Sequence, residues 1–222
     1  MSFTQAIRAR ANALQQAIFR HPFVVGIGDG SLDVERFKHF IRQDYVFLIE
    51  YSRTLALACA KAPDLESMAR FAELLHATLT AEISLHRSYC SRFGISTADL
   101  EATQATPTTQ AYTDFLVRAA YHGSFAELAC VLLPCLWGYC EIGLALARQG
   151  KPAHQPLYGE WIDMYSSPEY QALADWLLKL VDRLAEQAGP AERERMEAAY
   201  VVGTRYEYAF WDMAWRQEAW QL

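Results

Sequence analysis

The sequence predicts an all-α fold, a single-domain helical bundle, on three observations. Apolar residues recur at three- and four-residue spacing through long segments. No segment alternates convincingly with period two, as a strand with one buried face would. Prolines and glycines fall mostly between the periodic segments, where helices start and stop. Because no linker-like tract or internal repeat interrupts the chain, we expect one domain over residues 1–222.

The periodic segments define eight predicted helices. Proline is tolerated in the first turn of a helix, and the residue before it is disfavoured in helical geometry, so X-Pro steps mark helix starts. Such steps occur at His21-Pro22, Ala62-Pro63, Thr106-Pro107, Ser167-Pro168 and Gly189-Pro190. In chain order the predicted helices lie near residues 3–20, 33–61, 64–92, 108–122, 124–149, 153–165, 169–188 and 191–220.

A run of glycines follows the first predicted helix. Gly26, Gly28 and Gly30 resemble part of a dinucleotide-binding fingerprint. No strand precedes them, and their spacing does not complete the pattern. We therefore expect a loop between helices here.

Composition and charge exclude several classes of protein. Of the 222 residues, 52% are apolar and 21% are charged, and the formal net charge is -6. This balance is typical of a folded globular protein and not of a disordered chain. The acidic excess, without a basic cluster, argues against a nucleic-acid-binding protein and against binding to an anionic membrane surface.

The sequence also bears on the compartment. The first ten residues contain no apolar run of signal-peptide length. No later stretch approaches the roughly 18 apolar residues of a membrane-spanning helix, so we expect a soluble cytoplasmic protein. The cysteines are odd in number and include no C-x-x-C pair, which fits neither a disulfide framework nor a zinc site. They are Cys59, Cys90, Cys130, Cys135 and Cys140.

Asp44 is the first polar residue that interrupts an apolar helical stripe. Counting steps of three, four and seven, it shares a face with Phe40, Ile41, Leu48 and Tyr51. A carboxylate in this position must have a partner, because burying it alone is costly. The pattern leaves two interpretations open: a structural pair with a buried Arg or hydroxyl, or a carboxylate that hydrogen-bonds a ligand.

Cys135 shares a helical face with Leu128, Val131 and Tyr139, so its thiol should point inward. Pro134 precedes it and removes one helical hydrogen-bond donor, a local perturbation that often accompanies a site. A lone buried cysteine is nevertheless most often an inert small hydrophobic residue. The spacing around the helix also prevents the neighbouring thiols from forming one metal-binding face.

Glu207 lies in line with Trp211 and beside a stripe that contains Tyr206 and Phe210. Burial among aromatic rings would raise the pKa of this carboxyl toward the range useful for general acid–base catalysis. The alternative is a carboxylate at the helix surface that reaches solvent or pairs with Arg205.

Two weaker patterns point to metal or to structural pairing. Glu73-x-x-His76 matches half of the carboxylate-bundle di-iron motif, but a second Glu-x-x-His is missing. Glu82 and His86 are four residues apart on one predicted helix, which favours a structural pair and suggests no catalytic role.

Four motifs occur in order along nearly the whole chain. They are Gln43-Asp44-Tyr45; Leu132-Leu133-Pro134-Cys135-Leu136-Trp137-Gly138-Tyr139 with Glu141-Ile142-Gly143; Trp161-Ile162-Asp163-Met164-Tyr165-Ser166-Ser167; and Tyr206-Glu207 with Phe210-Trp211. Together they resemble the TenA family, also called thiaminase II or aminopyrimidine aminohydrolase. The Pro-Cys-x-Trp-x-Tyr run is the most specific element and is similar to the cysteine-bearing branch.

The resemblance implies a haem-oxygenase-like helical bundle, usually a homotetramer, that binds neither haem nor metal and needs no cofactor. It also implies a salvage reaction on a small pyrimidine. Family members hydrolyse 4-amino-5-aminomethyl-2-methylpyrimidine to the hydroxymethylpyrimidine and ammonia. Many also cleave thiamin to the same pyrimidine and the thiazole.

Carried over to this sequence, the resemblance assigns three catalytic residues. It implies that Cys135 is the nucleophile that adds to the pyrimidine ring, and that Glu207 is the acid and base for the ring nitrogens and the amino group. Asp44 is implied to bind the polar edge of the heterocycle and to help position the thiol.

The resemblance assigns four further residues to substrate binding. Tyr112, Tyr139 and Tyr165 are implied to be pocket hydroxyls or ring-edge partners, and Phe47 an aromatic wall beside the pyrimidine. Several relatives have Tyr where this chain has Phe47. The missing hydroxyl removes one hydrogen bond near Cys135 and bears on how efficiently the thiol is activated.

Two other functional classes remain open at this point. One is a non-catalytic pyrimidine-binding or regulatory protein on the same fold, against which the presence of both Cys135 and Glu207 argues. The other is a haem or di-iron oxidoreductase, which has only His21, Glu73 and His76 in its favour.

Overall fold

Helices extend from Phe3 to Arg216 in the computed structural model, which describes residues 1–221. No strand occurs among these residues, so the all-α prediction is confirmed. The chain divides into two compact units, each built from two separate stretches of sequence. The expectation of a single domain over residues 1–222 stays a prediction.

The first unit comprises Met1–Asp33 and Ala129–Asp212. Its helices are α1 (Phe3–Arg10), α2 (Asn12–Phe19), α3 (Pro22–Asp29), most of α9 (Phe125–Gln149), α10 (Pro156–Ser166), α11 (Pro168–Gln187) and most of α12 (Pro190–Arg216). Aromatic side chains fill its core, including Phe23, Tyr158, Trp161, Tyr165, Tyr200 and Trp211. Such large rings contribute much of the apolar area that folding buries.

The second unit comprises Val34–Leu128 and Met213–Leu222. Its helices are α4 (Val34–Lys61), α5 (Leu65–Ala77), α6 (Ile83–Arg92), α7 (Thr97–Glu101) and α8 (Pro107–His122), with a π-helix (Thr78–Glu82) between α5 and α6. Helix α4 packs against α5, α6 and α8. It therefore forms the centre of this unit.

The glycine run corrects one prediction. Gly26 and Gly28 lie inside α3 and not in a loop, whereas Gly30 ends the helix with a left-handed φ of 80°. A Cβ on Gly26 would lie 3.0 Å from the backbone of Leu32. Gly26 therefore permits a close approach of two backbone segments, a reason for glycine in a helix that its low helix propensity does not reveal.

Other boundaries also differ from the prediction. The first predicted helix breaks at Ala11 into α1 and α2, and the third contains the π-helix. The short helix α7 follows its cap at Ser96 and was not predicted. The last helix ends at Arg216, before predicted residue 220, because Gln217 adopts a left-handed φ of 51°.

Helix α9 corrects the expectation about apolar stretches. An 18-residue window within it is long and apolar enough to cross a membrane by length and composition alone. However, 67% of that window is buried inside the protein. This burial is typical of a helix at the centre of a hydrophobic core.

Candidate active site

Cys135 lies on α9 in the first unit and is 8% exposed. Its burial agrees with the inward orientation that the helical register predicts. The helix continues through Pro134, the residue immediately before it. The thiol is thus carried by a core helix beside a position that lacks a helical hydrogen-bond donor.

Glu207 lies on α12 in the same unit and is 4% exposed. The surface alternative for this carboxylate is therefore wrong. Helical spacing places Glu207 one turn after Gly203 and one turn before Trp211. Both of these residues are also buried, so the carboxylate lies on the packed face of α12.

Helices α9 and α12 approach each other at two points. A Cβ on Gly203 would lie 2.8 Å from Cγ of Pro134, so the glycine allows the helices to come close. Further along both helices, the rings of Tyr139 and Trp211 stack with centroids 5.1 Å apart. The second contact follows the first along both helices, from Pro134 to Tyr139 and from Gly203 to Trp211. Helices α9 and α12 therefore run in the same direction here.

Cys135 and Glu207 both lie between these two contacts. Cys135 directly follows Pro134, and Glu207 directly precedes the turn that ends at Trp211. The two residues therefore lie on the segments of neighbouring helices that these two contacts bound. A buried nucleophile and a buried carboxylate on packed helices can serve as a nucleophile and proton donor pair.

Tyrosines form an aromatic cluster on the same unit. The ring centroids of Tyr139 and Tyr165 are 4.9 Å apart, and those of Trp161 and Tyr165 are 4.5 Å apart. Gly143 allows α9 to approach α10 closely, because a Cβ there would lie 2.6 Å from the backbone carbon of Tyr165. The first unit therefore brings Tyr139, which is on the same helix as Cys135, together with Tyr165 on α10.

The remaining four cysteines are poor candidates for a nucleophile. Burial raises the pKa of Cys130 and of Cys59 and Cys90. Burial, together with nearby acidic groups, raises the pKa of Cys140 to about 11. A thiol with a raised pKa is protonated near neutral pH, and only the thiolate is strongly nucleophilic.

Asp44 lies on α4 in the second unit and is 3% exposed. Its Oδ2 is 2.7 Å from Nε2 of His86, which is completely buried on α6. The other ring nitrogen of His86, Nδ1, lies 2.8 Å from the main-chain carbonyl oxygen of Glu82. The partner of Asp44 is thus a histidine, and not the Arg or hydroxyl of the structural interpretation.

Phe47 and Tyr112 lie in the same unit as Asp44, on α4 and α8, and both are buried. Their ring centroids are 4.9 Å apart, and Phe47 also stacks on Tyr51 at 5.6 Å. Phe47 follows Asp44 by three residues, so both lie on one face of α4. The second unit therefore combines a carboxylate with an aromatic wall.

The predicted site residues fall into two groups, one in each unit. The first unit carries Cys135, Tyr139, Tyr165 and Glu207, and the second carries Asp44, Phe47 and Tyr112. His86 was missed as a member of the second group. Its place on the buried stripe of α6 with Ile83, Tyr89 and Cys90 was the available signal.

The side chains that suggested haem or di-iron have structural explanations. Nδ1 of His21 accepts a hydrogen bond from the backbone N–H of Phe23 and caps α3. Glu73 is exposed and pairs with Arg70 at 2.9 Å, and His76 is also exposed. Within residues 1–221, no group of three or more His, Cys, Asp or Glu side chains is arranged to hold a metal ion.

Comparisons with known proteins agree with the motifs. A family model described as the TENA/THI-4/PQQC family matches residues 8–217. An aminopyrimidine aminohydrolase from Halalkalibacterium halodurans is 43% identical over 220 residues, a match that covers 99% of this chain and 98% of that protein.

Solved structures show the same architecture. A TenA homologue protein from P. horikoshii OT3 matches with a TM-score of 0.88 at 32% identity, covering 97% of this chain and 99% of that one. A Shewanella denitrificans domain with a haem-oxygenase-like fold matches with a TM-score of 0.73 at 14% identity, covering 96% and 92% of the two chains. The fold is therefore a haem-oxygenase-like helical bundle, as the sequence motifs imply.

Proposed function

Because the chain belongs to the TENA/THI-4/PQQC family, we propose that it hydrolyses 4-amino-5-aminomethyl-2-methylpyrimidine to the hydroxymethylpyrimidine and ammonia in thiamin salvage. The aminopyrimidine aminohydrolase name of its relative and the motifs at Cys135 and Glu207 support this activity. The observation that carries the proposal is that both residues are buried between two contacts that join α9 and α12.

The first chemical step is covalent. The thiolate of Cys135 adds to the pyrimidine ring and forms a sulfur–carbon bond, and the displaced electron pair moves to a ring nitrogen. Glu207 donates a proton to that nitrogen. Sulfur suits this step because a thiolate is a soft nucleophile of modest basicity, which a serine hydroxyl is not.

The second step replaces the leaving group. The electron-rich ring expels the exocyclic amine, which binds in its ammonium form and therefore departs as neutral ammonia. Water then adds to the same exocyclic carbon, and the proton that it loses passes to the released ammonia. The sulfur–carbon bond finally breaks, the ring regains its aromaticity, and the carboxyl of Glu207 is restored by the proton that it recovers. Acid–base assistance of this kind contributes a factor of about 10² to 10⁴.

The aromatic groups of each unit suit a flat heterocycle. The Tyr139 and Tyr165 rings of the first unit and the Phe47 and Tyr112 rings of the second provide apolar faces with few polar groups, as is usual for small-molecule sites. Within the second unit, Asp44 lies on the same face of α4 as Phe47, and the family resemblance assigns this carboxylate to the polar edge of the pyrimidine. Thiamin carries its thiazole on the same exocyclic carbon, so the same chemistry releases the thiazole from thiamin.

Turnover of both substrates by the purified protein tests the proposal. We expect ammonia and hydroxymethylpyrimidine in equal amounts from the aminopyrimidine, and hydroxymethylpyrimidine and thiazole from thiamin. Binding of the pyrimidine without turnover of either substrate would instead support the non-catalytic regulatory alternative. We also expect a cytoplasmic protein, and from the family resemblance a homotetramer. Light scattering after size-exclusion chromatography measures the molar mass and so checks the oligomeric state.

A further inference from the structure

The buried pair of Asp44 and His86 has a hydrogen-bonding arrangement that restricts where its protons can lie. A main-chain carbonyl can only accept, so Nδ1 of His86 must carry a proton that it donates to Glu82. Nε2 then faces Oδ2 of Asp44 at 2.7 Å, a distance that requires one proton between them. That proton belongs to Nε2 or to Oδ2.

Both placements have the same consequence for the other carboxyl oxygen. If Nε2 carries the proton, Asp44 is an ionised carboxylate, and if Oδ2 carries it, Oδ1 is a carbonyl-type oxygen. In either state Oδ1 can accept a hydrogen bond but cannot donate one. Within the described part of the chain, His86 is the only hydrogen-bond partner of the Asp44 side chain, and the bond uses Oδ2.

The surroundings of His86 favour the charged ring. Complete burial lowers the pKa of His86, but the hydrogen bond and the charge of Asp44 and the carbonyl of Glu82 outweigh it, so the net shift is upward. Glu82 is the last residue of the π-helix, an element that is rare and often lies at functional sites. The π-helix thus supplies the carbonyl that fixes the tautomer of His86.

The position of Asp44 connects this pair to the ligand of the proposed function, on which the inference rests. Phe47 lies on the same face of α4 and packs against Tyr112. We propose that His86 is a positioning residue that makes Asp44 an acceptor-only group, so that it selects heteroaromatic ligands with an N–H donor on their polar edge. An aminopyrimidine offers that donor at its exocyclic 4-amino group, whereas its 4-oxo counterpart presents a carbonyl acceptor at that position and carries its N–H on the ring.

Nuclear magnetic resonance of the histidine rings tests the proton arrangement in the unmodified protein. With ¹⁵N-labelled histidine, the ring resonances of His86 are assigned by their loss in His86→Gln. We expect a proton on Nδ1 of His86, and we expect Asp44→Asn to change the Nε2 resonance. A His86 ring that carries a proton only on Nε2 would overturn the inference.

Ligand discrimination tests the consequence for specificity. The probes are 4-amino-5-hydroxymethyl-2-methylpyrimidine and its 4-oxo counterpart, with affinity measured by calorimetry. Losing a hydrogen bond to a charged group costs about tenfold or more in affinity. We expect His86→Leu and His86→Phe, which offer Asp44 no hydrogen-bond partner, to reduce the preference for the amino probe by about tenfold, and the exposed control His76→Gln to leave it unchanged.

The outcomes separate this inference from the proposed function. If the wild-type protein binds neither probe and hydrolyses no aminopyrimidine, the proposed function fails in a measurement that involves no His86 variant. If the wild-type protein prefers the amino probe and folded His86→Leu keeps the same preference, the function stands and His86 is only structural. Circular dichroism establishes that each variant is folded, and His86→Leu serves if His86→Phe is not.

Discussion

The two units hold their candidate functional residues in different ways. In the first unit, Cys135 and Glu207 are carried by two long helices whose close approach depends on packing at Gly203. In the second unit, Asp44 is held by a polar side chain, His86. A residue placed by packing is sensitive to changes in volume, whereas one placed by a polar pair is sensitive to loss of its partner. Substitutions in the two units should therefore fail in different ways.

The largest effect should come from the thiol. Cys135→Ser removes the nucleophile and should lower kcat by at least about 10³-fold, while binding of the pyrimidine stays measurable. Cys130→Ser is the matched control on the same helix, since burial keeps that thiol protonated, and it should retain turnover. Steady-state rates of ammonia release compare the two variants with the wild-type protein. A Cys135→Ser variant that works at the wild-type rate would show that the nucleophile is assigned wrongly.

Glu207→Gln should have the next largest effect. The amide keeps the volume of the side chain but cannot donate and recover a proton, so kcat should fall by about 10² to 10⁴-fold with little change in binding. Rapid mixing of the variant with substrate, followed by mass spectrometry of the intact protein, measures whether a covalent adduct still forms. Unchanged kcat would mean that Glu207 is a structural carboxylate.

Asp44→Ala should affect binding and turnover together. The variant lacks the carboxylate that is assigned to the polar edge of the pyrimidine, and it leaves the buried ring of His86 without its partner. We therefore expect kcat/KM to fall by about 10²-fold. Initial rates over a range of aminopyrimidine concentrations separate KM from kcat. Wild-type kinetics in a folded Asp44→Ala protein would make the Asp44–His86 pair purely structural.

A volume change at the helix contact should lower stability. Gly203→Ala places a Cβ against the rigid ring of Pro134 and should cost about 1 to 3 kcal/mol in the free energy of unfolding. Gly138→Ala is the control, because nothing lies within 4 Å of a Cβ there. The alanine should stabilise α9 by up to about 1 kcal/mol. Urea unfolding of both variants measures these changes, and equal stabilities would contradict a tight contact at Gly203.

Phe47→Tyr should have the smallest effect. The resemblance implies a tyrosine at this position in several relatives, and the new hydroxyl should raise kcat/KM for the aminopyrimidine by a few-fold, about the contribution of one neutral hydrogen bond. Initial rates over a range of substrate concentrations measure this change. A drop in kcat/KM would mean that the buried hydroxyl finds no partner and only perturbs packing.

Helical register explains why the burial of the candidate site residues was predictable. Asp44 shares a face with Phe40 and Leu48, and Cys135 shares one with Tyr139, so the period of the helix alone predicts that both are buried. Glu207 follows the same rule, and its burial decided between two interpretations that the pattern left open.

Contacts between distant parts of the chain explain what was missed. His86 contacts Asp44 because α6, which follows the π-helix, packs against α4. No local sequence pattern predicts the π-helix. Gly26 was misread for a similar reason, since its lack of a side chain is explained by the close approach of Leu32, which no local pattern shows. The placement of Cys135 and Glu207 between two contacts likewise depends on the packing of α9 against α12.

Hydrolysis of the aminopyrimidine in ¹⁸O-labelled water tests the central claim most directly, with wild type, Cys135→Ser and Cys130→Ser measured side by side. The account predicts one ammonia for each hydroxymethylpyrimidine, ¹⁸O in the product hydroxyl, and turnover by the wild type and Cys130→Ser but not by Cys135→Ser. Absence of ammonia from the wild-type reaction, or equal rates for all three proteins, would contradict it.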